Sequence, residues 1–146
     1  LYFCKSMIPE IDARGCIARN MWEGTLAFSF EADASLLDIP FVNFAGPVRA
    51  ELSYRIAEDN SVEVSGTIAF ALQGACSRCL EDASAEIVYD ARALFLPGDG
   101  DGEAYGYRNG VVSLGEWLRE SIMFALPSRL LCKACAQWEK NNSEEV

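Results

Sequence analysis

Cys76-Ser77-Arg78-Cys79 and Cys132-Lys133-Ala134-Cys135 are two Cys-x-x-Cys pairs in a chain that contains no histidine. Four thiolates form a complete donor set for a tetrahedral ion. Each pair grips from one tight turn, and a four-cysteine site leaves no coordination position for a substrate. The chemistry indicated is a closed structural zinc site, one Zn2+ per chain, held by Cys76, Cys79, Cys132 and Cys135. The 52 residues between Cys79 and Cys132 exceed the roughly 15 to 20 of a short zinc module, so the ion would staple distant segments. Two other readings compete: redox dithiols, which need a thiol pKa lowered at a helix N-terminus, and reduced cysteines that share no ligand. Iron also binds four thiolates. Cys4 and Cys16 lack paired spacing and read as ordinary buried or free thiols.

Other chemistry is sparse. The chain has no P-loop, no Gly-x-Gly-x-x-Gly fingerprint and no histidine base, so no enzymatic activity and no small-molecule substrate are expected. Asp99, Asp101 and Glu103 resemble the front of a calcium loop, but the sixth and twelfth positions are Ala104 and Gly110 where glycine and glutamate belong. Pro97 to Gly110 therefore reads as a solvated, mobile loop.

The elements that must position the cysteines are mostly strands. Leu26, Phe28 and Phe30 alternate within Glu23 to Asp33 and mark a strand, while two prolines and Gly46 make Leu36 to Pro47 an irregular connection or a short edge strand. Val48 to Ala57 alternates cleanly, Glu58-Asp59-Asn60 supplies a turn, and Val62 to Leu72 returns into the first cysteine pair, which reads as a hairpin. Ala85 to Leu96 is a further strand, so the first knuckle joins two strands. Ser113-Leu114-Gly115-Glu116 has the capping-box pattern and starts a helix that Pro127 ends near Ala125. Leu114, Trp117, Leu118, Ile122 and Ala125 recur on one face of it, with Trp117 in a packing role. That helix leads to the second pair, which follows a helix rather than opening one.

The fold class expected is α+β: a mostly antiparallel sheet, open to a curl toward a barrel, with one principal helix and a zinc-knuckle pair. At 146 residues and 51% hydrophobic, the chain has the size of a single domain, with 136–146 read as a flexible tail. No segment reads as a signal peptide or as a membrane span of roughly 20 apolar residues. A soluble protein of the reducing cytoplasm is expected. The net charge of −10 disfavours unaided binding to phosphate backbones and suits a basic protein partner or a local cationic patch. Arg78 and Lys133 within the knuckles and Arg129 just upstream are the nucleic-acid candidates, against the reading that they offset thiolate charge. Trp138, Tyr105 and Tyr107 offer stacking faces, but packing is the expected role.

Cys76-Ser77-Arg78-Cys79-Leu80-Glu81, the strand ending Leu94-Phe95-Leu96-Pro97, the helix Leu114-Gly115-Glu116-Trp117-Leu118-Arg119-Glu120, and Ala125-Leu126-Pro127 before Leu131-Cys132 together resemble the YceD-like family, over about residues 24–135. Relatives often continue with a Gly-Leu-Cys segment, where this chain runs Ala136-Gln137-Trp138-Glu139. The resemblance implies a small bacterial or plastid protein that supports accumulation of large-subunit ribosomal RNA and binds metal and nucleic acid. The expected function is thus non-enzymatic ribosome biogenesis with ribosomal RNA or a basic ribosomal protein as partner. An acidic assembly chaperone for such a protein is the alternative, and a dithiol redox protein a more distant one.

Overall fold

The computed structural model describes residues 8–100 and 104–143. Its centre is an antiparallel hairpin of two long strands, β5 (Val62–Ala75) and β6 (Asp82–Pro97), paired from Val62↔Phe95 to Ala75↔Asp82. β4 (Val48–Ile56) pairs with the first part of β5, and β2 (Glu23–Phe30) pairs with β4. β3 (Val42–Phe44) continues the line of β4 along the rest of β5. The break between β3 and β4 falls at Ala45-Gly46-Pro47, where Gly46 takes a φ of +93° and proline supplies no amide for the ladder. β7 (Tyr105–Tyr107) adds in parallel, but only against Phe95–Pro97 of β6. The sheet order is therefore β2-β4-β5-β6-β7, with β3 beside β5. It is open, so the curl toward a barrel does not reach closure.

Alternation selects the buried face. Val48, Ala50, Leu52 and Ile56 of β4, Val62, Val64, Ile68, Phe70 and Leu72 of β5, and Ala91, Ala93 and Phe95 of β6 are buried, while Arg49, Glu51, Arg55, Asp90 and Arg92 face solvent. The β4–β5 turn forms as its residues demand. Asp59 accepts hydrogen bonds from the Ser61 amide at 3.0 Å and hydroxyl at 2.6 Å, and Asn60 takes the left-handed conformation at φ +68°. β5 can lie tightly along its neighbours because Gly74 has no side chain: a Cβ there would sit 2.0 Å from the Phe41 carbonyl oxygen.

Among the described residues three α-helices accompany the sheet, where the sequence led us to expect one principal helix. α1 (Ala13–Ala18) lies between β1 (Ile11–Asp12) and β2, and β1 pairs with β8 (Val111–Val112). α2 (Gly115–Ala125) ends at Leu126, before Pro127, and buries Trp117, Leu118, Ser121 and Ile122. Trp117 meets the ring of Phe95 edge-on with centroids 6.2 Å apart, the packing role expected of it. The capping box does not form. Leu114 occupies the N-cap without a side-chain bond, and the Ser113 hydroxyl instead donates to Glu10 at 2.9 Å. A contact far along the chain has claimed the hydroxyl that local spacing reserved for the helix.

α3 (Lys133–Ser143) occupies most of the stretch read from the sequence as a tail. Tyr105–Tyr107 likewise gives strand structure to the segment expected to be loop; residues 101–103, with the acidic positions Asp101 and Glu103, lie outside the described residues, as does Cys4. Cys16 is buried. Among the described residues no helix is long and apolar enough to cross a membrane.

Candidate metal centre

The first cysteine pair sits in the six-residue connection of the β5–β6 hairpin. The Cys76 amide donates to the Glu81 carbonyl at 2.7 Å and the Leu80 amide to the Cys76 carbonyl at 2.9 Å. This turn carries Leu80 into the left-handed region at φ +65°, a conformation that costs a branched side chain about 1–2 kcal/mol. The second pair is set by the start of α3. Cys132 precedes the helix, its carbonyl accepts from the Ala136 amide at 2.9 Å, and its sulfur accepts from the Cys135 amide at 3.4 Å. Cys132 thus stands at a helix N-terminus, contrary to the expectation that the second pair only follows a helix.

The two segments are sewn together beside the cysteines. The Ser77 amide donates to the Leu130 carbonyl at 2.7 Å, and the Ser77 hydroxyl accepts from the Leu130 amide at 3.3 Å. Leu130 itself is buried in the core. The connection from α2 to α3 is therefore anchored on the first knuckle, and Cys132 follows two residues later.

Cys76, Cys79, Cys132 and Cys135 bring their sulfurs to within 4.8 Å of one another. Cys79 Sγ and Cys132 Sγ are 3.7 Å apart, which matches the edge of about 3.8 Å for a tetrahedron with metal–sulfur bonds of about 2.3 Å. Cys76 is fully buried, Cys132 and Cys135 are half-buried and Cys79 is exposed, so the site lies at the surface with its floor in the core. The donor set, all sulfur, can hold a metal ion that favours thiolates.

Burial and neighbouring hydrogen bonds act on Cys76, Cys79 and Cys135 in different directions. Burial pushes the Cys76 thiol up, but hydrogen bonds from the backbone of Cys132, Cys79 and Arg78 and from the Cys79 side chain outweigh it and bring the thiol down to about 6. Cys135 is pushed up to about 12, first by its hydrogen bond with Cys132 and then by burial and the other two sulfurs. Cys79 is also raised: the Glu81 backbone amide favours its thiolate, but burial and the Cys76 and Cys132 sulfurs prevail. Close sulfurs oppose one another's ionisation, and a divalent cation would make ionisation of all four favourable.

The three cations singled out from the sequence sit in different settings. Arg78 lies over the ring of Trp138, its guanidinium carbon 3.5 Å from the centroid, and so joins the first knuckle to α3. Arg129 is ion-paired with Glu139, again on α3. Lys133 is exposed at the first residue of α3, where a cation is unfavourable to the helix dipole unless thiolates or a ligand offset it. Tyr105 and Tyr107 are engaged within the fold: Tyr105 donates to Glu120 and stacks on Phe95, and Tyr107 donates to the Asn60 carbonyl at 2.5 Å. Ser77 and Glu139 are the supporting residues that motif reading did not assign, whereas Trp138, expected to pack, does so against the Arg78 guanidinium.

No family model, curated protein or solved structure matches this chain. Nothing in these comparisons identifies a YceD-like family.

Proposed function

We propose that this chain is a non-enzymatic ribosome-biogenesis factor of the cytoplasm, in which zinc bound by Cys76, Cys79, Cys132 and Cys135 fixes a surface that engages ribosomal RNA or an incoming basic ribosomal protein. The carrying observation is the convergence of four sulfurs from two segments far apart in sequence. Such a closed donor set suits a structural ion. The pathway comes from the YceD-like resemblance. Arg78, Arg129 and Lys133 are the residues through which RNA contact would run, with Trp138 as a stacking face half exposed beneath Arg78.

The alternative, an acidic chaperone for a basic ribosomal protein, draws support from the pairing of Arg129 with Glu139, which leaves less positive charge beside the cysteines, and from the net charge of −10. A dithiol redox role gains a helix N-terminus at Cys132, but the thiol held low is Cys76, which is fully buried, whereas an attacking thiolate must be accessible.

Elemental mass spectrometry on protein purified under reducing conditions, combined with thiol counts before and after chelation, tests the metal. One zinc per chain with four thiols unmasked is expected; metal-free protein with freely titrating cysteines would remove the centre. Binding of the loaded protein to ribosomal RNA fragments and to purified basic ribosomal proteins, each across a salt series, tests the partner. RNA binding weakened by Arg78→Ala and Lys133→Ala supports the first reading. Salt-sensitive binding to protein without RNA supports the chaperone, and binding to neither overturns both.

A further inference from the structure

β6 is an edge strand over most of its length. β7 covers only Phe95–Pro97, so among the described residues no strand pairs with the outer side of Asp82 to Leu94. Natural edges are blunted by proline, lysine, bulges or short length. This one runs from Asp82 to Leu94 without proline, glycine or lysine, is paired to β5 without interruption on its other side, and leaves Val88 69% exposed.

The charges along the edge are self-complementary. Consider a two-fold axis at Tyr89 relating two antiparallel copies. Glu86 then stands opposite Arg92 of the second copy, twice over, while Val88 faces Asp90 and the half-buried Ile87 faces the small Ala91. Moving the axis to Val88 would set Glu86 against Asp90, and moving it to Asp90 would set that carboxylate against its own copy. Moving it to Ile87 would pair Arg92 with Asp82 but leave Glu86 against Val88, so Glu86→Arg separates that register from the one at Tyr89. Within the chain, the β5 residues opposite Glu86 and Arg92 are the uncharged Ala71 and Ser65. The other edge, β2, carries one charge, Glu23, and has no such self-complement.

We propose that two copies of this chain pair antiparallel through β6, with the two-fold axis at Tyr89 and reciprocal Glu86–Arg92 ion pairs, joining their sheets into one. This does not depend on the metal or on the proposed function. A C2 contact of this kind closes on itself and uses the same patch twice.

Sedimentation equilibrium of metal-loaded protein over a wide concentration range tests it. A monomer–dimer equilibrium is expected. Arg92→Glu alone and Glu86→Arg alone should each raise the dimer dissociation constant about tenfold, since opposed like charges replace opposite ones in both symmetry-related pairs. The double variant should restore it. Both side chains are solvent-facing, so the melting temperature of dilute monomer serves as the folding control. A monomer at every concentration, a dimer indifferent to Arg92→Glu, or a double variant that stays dissociated would each overturn the proposal.

Discussion

Leu80 and Phe41 flank the buried Cys76 in an unusual way. Both take the left-handed conformation, at φ +65° and +61°, and both are exposed, 69% and 76%. Phe41 accepts from the Ala75 amide at 3.0 Å, and Leu80 donates to Cys76, so each is fixed by the chain around the first knuckle. Backbone strain with no burial to offset it is expected where a side chain serves something other than packing. Leu80→Gly should therefore stabilise the metal-loaded protein by about 0.5–1 kcal/mol, because glycine adopts this conformation without steric cost. Chemical denaturation at constant metal content checks this, and a loss of stability would show that Leu80 packs better than its exposure implies. At this scale the sequence was uneven. The cysteines were legible because Cys-x-x-Cys is a local pattern that fixes its own geometry. The strained Leu80 was not, since nothing in a leucine marks a left-handed site, and the Arg78–Trp138 stack joins residues whose meeting depends on the whole fold.

The strands followed from alternation because burial of one face rewards a period of two at every step. Val48–Ile56, Val62–Ala75 and Asp82–Pro97 extend or trim the expected spans by only a few residues. Of the helices, α2 was legible from its apolar spacing and Pro127, and α1 and α3 were not. α1 is short and lacks a full apolar stripe, and α3 has a polar sequence whose start is set by the Cys132 carbonyl and sulfur. β7 was hidden in a glycine-rich segment because its partner is the end of β6. The connection between α2 and α3 shows how such elements are held: it has little regular structure, yet Leu130 is buried and both its backbone polar groups bond to Ser77. Truncation by Leu130→Ala should cost about 2–5 kcal/mol. It should also weaken metal binding, because Cys132 lies two residues on. Urea unfolding with a parallel metal-competition titration reads both effects, and a stability loss with unchanged metal affinity would mean that the cysteines hold their positions independently of Leu130.

Over the whole molecule, the sheet and α2 share a core built from Val62, Val64, Ile68, Phe95, Trp117 and Leu118, none of which is a metal ligand. A metal held by the four sulfurs would add a staple from the β5–β6 hairpin to the start of α3. Chelation should leave that core folded while returning loop entropy to the unfolded chain. Treating the staple as a crosslink across the 52 intervening residues, the loss is about 4 kcal/mol, or a fall in melting temperature of about 10 °C. Cys79→Ser should lower it similarly, with weaker metal binding. The effect must vary with pH in a definite direction. Metal-bound thiolates are held ionised in the folded protein, so their stabilisation is present at neutral pH and above and is lost as protons reclaim the sulfurs. The melting temperatures of loaded and chelated protein should thus lie apart at pH 7 and converge in acid, as protons displace the metal from the sulfurs. Scanning calorimetry on both forms across this range measures the gap. A gap that persisted unchanged in acid would show that thiolate coordination is not its source, whereas no gap at neutral pH would show that the four sulfurs do not staple the fold.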